Sequence, residues 1–284
     1  MPPSKTVDPT TTSRPEAGFL ALWTQTVADF SSSASLGWRI FVRDFSARYR
    51  QQAFGILWAF LGPALTVVPF VLLVDASILD LGDLSVPYPI FAFTGAVFWS
   101  LVQGLVLSCA VVVSNAGALV TKIHFPREAL LYSPLLITLV DLAIKVAILA
   151  LLFLAYDFSP SPWALLHLFA SLPAILFAFG LGMVAAIVGG VFMDAPQFLA
   201  HGLLALMFAT PILYPVSSTT TLGRITAWNP FYYLVSLPRD LIISGRFPEG
   251  TSMGYLVCCL IAIAVFLSGF RFYRIAMLRV AERA

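Results

Sequence analysis

Apolar residues run along this chain in long blocks separated by short polar breaks, a pattern with the period of neither a half-buried strand nor a surface helix. Blocks lie at about 56–78, 88–113, 130–155, 163–192, 198–216 and 253–272. A helix needs roughly 20 apolar residues to cross a hydrocarbon core of about 30 Å, and each block is close to or above that length. Between the fourth and fifth stands only Met193 to Gln197, where Asp194 and Pro196 mark a tight turn. Without that turn a helix over 163–216 would be roughly 80 Å long at about 1.5 Å per residue, too long for any bilayer. The pattern therefore predicts an all-α membrane protein with six transmembrane helices.

Ahead of the first block the period changes. In LGWRIFVRDFSARYRQ, Trp38, Phe41, Val42, Phe45 and Tyr49 fall at helical spacing with Arg39, Arg43, Arg48 and Arg50 between them. This predicts an amphipathic helix over 36–51, lying in the headgroup layer with its rings buried and its guanidinium groups at the lipid phosphates. A helix docked on a soluble partner would show the same pattern. The first eighteen residues are rich in Pro, Ser and Thr and lack the apolar core of a signal peptide, so 1–35 reads as a mostly disordered tail. A transmembrane domain follows over 36–275, and 276–284 forms a short C-terminal tail. Between the last two spans, Ser217 to Gly250 holds the short apolar pieces ITAWNPFYYLVSL and RDLIISGRF, broken by Pro230 and Pro238. These predict short re-entrant helices dipping into the outer edge of the membrane, a candidate for a gate.

Composition agrees with lipid as the solvent: 60% of the 284 residues are hydrophobic, 11% are charged, and the mean hydropathy is +0.92. A formal net charge of +2 argues against a nucleic-acid partner. The cations cluster instead by topology. Lys5, Arg14, Arg39, Arg43, Arg48, Arg50, Lys122, Arg127, Arg271, Arg274, Arg279 and Arg283 all fall on the side shared by the termini, which the positive-inside rule makes cytoplasmic. Arg224, Arg239 and Arg246, in the last external segment, are the exceptions.

Reactive chemistry is sparse. No GxxxxGK[ST] loop occurs, so energy from ATP would have to come through another subunit. His124, His167 and His201 share no metal-type spacing, and Cys109, Cys258 and Cys259 sit inside apolar runs as small hydrophobes. No catalytic residue and no metal ligand is expected. Asp141 and Lys145 form an intramembrane charge pair one helical turn apart, able to neutralise each other; whether they line a path or fix packing stays open. Trp58, Trp99 and Trp163 read as interfacial anchors, and Gly180, Gly182, Gly189 and Gly190 as sites of close helix contact.

The run RDFSARYRQQAFGILWAFLGP, followed in order by VPYPIFAFTGAVFWS, SNAGALVTKIHFPRE, ATPILYPV and WNPFYYLVSLPRD, resembles the polysaccharide-export permeases of the type-2 ABC exporter class over about residues 36–272. The resemblance implies a homodimer with two copies of a nucleotide-binding ATPase subunit, which would carry ATP and Mg. It implies export of a lipid-linked, undecaprenyl-type glycan such as O-antigen, capsule or teichoic acid across the bacterial inner membrane, by a multi-pass chain with cytoplasmic termini and no enzymatic activity of its own. By the same resemblance Arg43, Arg48 and Tyr49 form a substrate entrance, with arginine forks suited to phosphate. Lys122, His124, Phe125, Arg127 and Glu128 form a helix that couples to the ATPase. Trp228, Asn229, Pro230, Phe231, Tyr232 and Tyr233 belong to an external gate. Two other readings remain: a type-2 exporter of a small amphiphile or drug, which would lack the Arg-Asp to Arg-Tyr run, and a membrane enzyme acting on a lipid-linked glycan, which would need convergent carboxylates or a histidine on one face.

Overall fold

The computed structural model describes residues 19–50, 57–78, 82, 84, 86–116, 126–216, 220–246 and 250–282. Helix α1 runs over Phe19–Arg50 and so begins well before Leu36. The expectation of disorder is corrected for residues 19–35: that stretch contains neither Pro nor Gly, and its Leu and Ala residues favour the helix. Ser33, Gly37, Ile40 and Phe41 form its buried stripe, at spacings of one to two turns, while Trp38 and Val42 are exposed. At Gly37 α1 packs closely on α5, since a Cβ there would lie 2.7 Å from Cβ of Tyr132.

Helices α2 (Leu57–Asp75) and α3 (Tyr88–Ala110) follow, the latter opening on Pro87 and Pro89, where a missing N–H costs nothing. After α4 (Val112–Ala116), a 3-10 turn over Arg127–Leu131 runs directly into α5 (Tyr132–Ala155). The fourth block is stepped: α6 (Ala164–His167), a 3-10 turn (Leu168–Ser171), then α7 (Leu172–Val191). At Phe192–Asp194 the chain reverses into α8 (Ala195–Ala209), with Pro196 in its first turn. That helix stops short of the expected residue 216, because Thr210 precedes Pro211 and is extended (φ −109°, ψ 132°), as the proline ring requires. After α9 (Thr221–Thr226) come a π-helical turn over Tyr232–Ser236 and α10 (Leu237–Ser244), which Gly245 closes in the left-handed conformation (φ +70°). The last helix, α11 (Ser252–Glu282), passes through the expected C-terminal tail without a break.

Tyr88–Ala110, Arg127–Ala155, Phe169–Val191 and Ser252–Met277 are long and apolar enough to cross a membrane, with Leu61–Asp75 and Ala195–Ala209 as shorter apolar helices. Helix α3 is the centre: Ile90, Ala92 and Val97 are fully enclosed, and α2, α5, α7 and α8 pack around it. Apolar burial gives helices no drive to associate in lipid, so close packing must hold the bundle, and small residues provide it. A Cβ on Gly189 would fall on the Ala110 carbonyl, and one on Gly180 would lie 2.7 Å from the Val265 carbonyl carbon on α11. Gly182 faces Cys109 and Gly269 faces Gly180, so α7 is seated between α3 and α11 through glycine contacts.

Candidate functional site

At the end of the bundle where α1 lies, α1, the C-terminal end of α3, α4 and the start of α5 enclose a cavity of about 250 Å³. Arg43, Asp44, Arg48, Asn115 and Ser133 give it polar walls, and Ile40, Val112 and Ile137 close it with apolar ones. Arg43 lies 2.8 Å from Oδ1 of Asp44, whose Oδ2 accepts a 2.7 Å hydrogen bond from the Ser133 hydroxyl. Asp44 thus ties α1 to α5. Arg48, one turn beyond Asp44 on α1, meets Asp141 of α5 at 3.4 Å. The expected intramembrane pair gains a third member: Asp141 meets Arg48, while Lys145, buried and within the field of the Asp141 carboxylate, donates to Oγ of Ser100 on α3 at 3.0 Å. Helix rotation is the cause, since a spacing of four residues puts the two groups on one face without deciding what faces them. Tyr49 lies outside the residues whose side chains are described.

A second cluster at the same end joins the start of α5 to the end of α11. Arg127 donates to the Met277 carbonyl at 2.5 Å, its own carbonyl accepts from the Tyr273 hydroxyl at 3.0 Å, and Glu128 meets Arg274 at 3.3 Å. Lys122, His124 and Phe125 lie outside the described residues. Arg127 and Glu128 nevertheless anchor the C-terminal side of that loop to the last span.

The third cluster is at the opposite end. Asn229 donates to the Thr210 hydroxyl at 2.9 Å and accepts from the Phe231 amide at 3.0 Å, so it stitches the break after α8 to the turn before α10. Phe231 is buried edge-on against Trp99 (5.7 Å between centroids) and Phe177 (5.2 Å). This corrects the reading of Trp99 as an interfacial anchor: it is 2% exposed and packs in the bundle. Tyr233 donates to the Ala227 carbonyl at 3.1 Å. Burial, with the Asp240 carboxylate adding to it, pushes the Tyr232 hydroxyl above its ordinary value and keeps it neutral. Pro230 is the first helical residue after α9 and opens the stretch that runs into the π-helical turn, where its missing N–H costs nothing. Trp228, by contrast, is 91% exposed and stands apart from this cluster.

Sequence reasoning marked Arg239 only as a cation in an unexpected place, but it is the hub of this end. Its guanidinium is buried, donates to the Pro211 and Ile212 carbonyls at 3.1 and 3.2 Å, pairs with Asp240 at 2.8 Å and lies 3.9 Å over the Phe91 ring. Carbonyls of the irregular backbone that follows α8 are thus satisfied by a side chain from α10. The available signal was the pairing of an Arg-Asp dipeptide after Pro238 with a Thr-Pro break upstream. Between α2, α3 and α5, a predominantly apolar groove of about 440 Å³, lined by Val67, Val71, Phe93, Ile148 and Leu152 among others, suits hydrocarbon.

Residues 36–243 match the model of a family described as ABC-2 type transporter. The chain is 28% identical over 211 residues to the O-antigen export system permease protein RfbA of Myxococcus xanthus, covering 73% of this chain and 80% of that protein. It is 25% identical over 238 residues to the polysialic acid transport protein KpsM of Escherichia coli, covering 83% and 91% respectively. Similarity to the O-antigen export system permease protein RfbA of Klebsiella pneumoniae is 22% over 207 residues, 72% of this chain and 78% of that one.

Proposed function

This chain belongs to the ABC-2 type transporter family, and from that premise we propose that it is the membrane-embedded permease of an ATP-driven exporter of lipid-linked polysaccharide. The names of its relatives, which specify O-antigen export and polysialic acid transport, support the substrate class. In this reading the chain performs no covalent chemistry. A separate ATPase subunit, present in two copies and carrying ATP and Mg, drives a homodimer of this permease. The assembly sits in the bacterial inner membrane with both ends of each chain in the cytoplasm, in keeping with the cations collected there.

The observation that carries the reading is the cavity into which Arg43 and Arg48 both open, at the end of the bundle where α1 lies. Arginine forks match phosphate oxygens, and a diphosphate linking an undecaprenyl-type lipid to its glycan offers such oxygens where headgroup and hydrocarbon meet. The apolar groove along α2 suits the lipid chain. Arg127 and Glu128, tied to α11, would pass movement of the ATPase-facing loop into the last span, and the cluster around Asn229 and Phe231 would close the opposite mouth.

The test is reconstitution in vesicles with the ATPase partner, following ATP hydrolysis and movement of a prenyl-diphosphate-linked glycan. Transport is expected to require hydrolysis and to fall at least about tenfold in the Arg43→Ala/Arg48→Ala variant, a loss equivalent to about 1.4 kcal/mol. Undiminished transport in that variant would remove the entrance, and absence of any hydrolysis-dependent glycan movement would remove the function.

A further inference from the structure

The charges around Arg48 make a three-member set that phosphate binding alone does not account for. Arg48 on α1 is held by Asp141 of α5 at 3.4 Å, and Arg48 is 41% exposed while Asp141 is 16% exposed. One turn further along α5, on the same face, is the buried ammonium of Lys145, tethered to Ser100 of α3. An arginine that opens into a cavity at a membrane surface meets the phosphodiesters of bulk lipid at far higher concentration than any rare substrate. Here it meets a carboxylate first.

We propose that Asp141 is an exchangeable counter-ion that makes the entrance selective for a diphosphate over the monophosphate of ordinary lipids, with Lys145 as its standby partner. This rests on the entrance reading given above. An incoming anion must displace Asp141 from Arg48. A singly charged phosphodiester offers no more charge than the carboxylate it replaces, whereas a diphosphate offers more charge and can engage Arg43 in the same cavity. The displaced Asp141 is not stranded in a low dielectric, because Lys145 is one turn away on its own helix. The pair that looked self-sufficient in the sequence thereby acquires a use: the lysine lowers the cost of the exchange, and the carboxylate sets the charge that an anion must exceed.

The test uses the full chain in nanodiscs of zwitterionic lipid with two probes, farnesyl diphosphate and farnesyl methyl phosphate, a monophosphate that is a singly charged diester like ordinary lipid headgroups, and their Kd values are compared. The wild type is expected to prefer the diphosphate. In Asp141→Asn, and in Asp141→Asn/Lys145→Met, which leaves no uncompensated buried cation, monophosphate binding is expected to tighten by roughly fivefold, the scale of one partly exposed ion pair. Diphosphate binding should change less, so the preference narrows. A tighter Kd cannot arise from misfolding. Inorganic pyrophosphate should displace farnesyl diphosphate from the wild type, which shows that the phosphates rather than the prenyl chain are read. A preference unchanged or widened in both variants overturns the role of Asp141 and leaves the entrance standing. Binding of neither probe to the wild type, or a failure of pyrophosphate to compete, overturns the entrance itself.

Discussion

Arg239→Ala is the substitution with the largest expected effect on the fold. The side chain is 6% exposed, so water cannot replace its contacts. Two charge-assisted hydrogen bonds to the Pro211 and Ile212 carbonyls would be lost, each worth about 1.5 kcal/mol. The cation over Phe91, 3.9 Å from the ring centroid, adds about 1 kcal/mol. Some is recovered, since the Ser236 hydroxyl still reaches the Pro211 carbonyl at 3.4 Å and a buried cation no longer needs desolvating. A net loss of about 3 kcal/mol remains. Arg239→Lys keeps the charge but replaces the planar fork by a single ammonium, and should lose about half as much. Reversible denaturant titration in mixed micelles, followed by circular dichroism, measures both. An alanine variant within about 1 kcal/mol of the wild type, or a lysine variant no better than alanine, would refute the assignment of Arg239 as the tie between α10 and the backbone after α8.

Other expectations follow from single contacts. Gly189→Leu should prevent α7 from seating on α3, because even a Cβ there falls on the Ala110 carbonyl, whereas Gly202→Leu on α8, with open space around it, should leave folding yield in detergent unchanged; equal yields would remove the glycine argument. Glu128→Arg should reduce transport in reconstituted vesicles, and Glu128→Arg/Arg274→Glu should restore much of it if the pair carries coupling, so a double variant as weak as the single one would count against it.

Much of the architecture was legible from hydropathy because a bilayer acts on each segment locally: a run of about 20 apolar residues spans wherever its neighbours lie. That is why α3 and α5 lie within the blocks at 88–113 and 130–155, and why the reversal at Phe192–Asp194 was visible from Asp194 and Pro196, whereas α7 begins at Leu172 and α11 runs on to Glu282. The glycines of α7 were readable as contact points, though not their partners Ala110, Cys109 and Val265. The start of α1 at Phe19 was missed because the Ser, Thr and Pro content of the first eighteen residues was extended past its end.

Residue type and hydropathy mark Asp141 and Lys145 as charges inside an apolar run, Arg48 as a cation of the amphipathic helix and Arg239 as a cation in an external segment. What these groups do is set by helix packing, since a helical period says which residues share a face and nothing about the rotation of that face toward other helices. That rotation brings Arg48 to Asp141, carries Arg239 to carbonyls 27 and 28 positions away, and turns Trp99 inward onto Phe231.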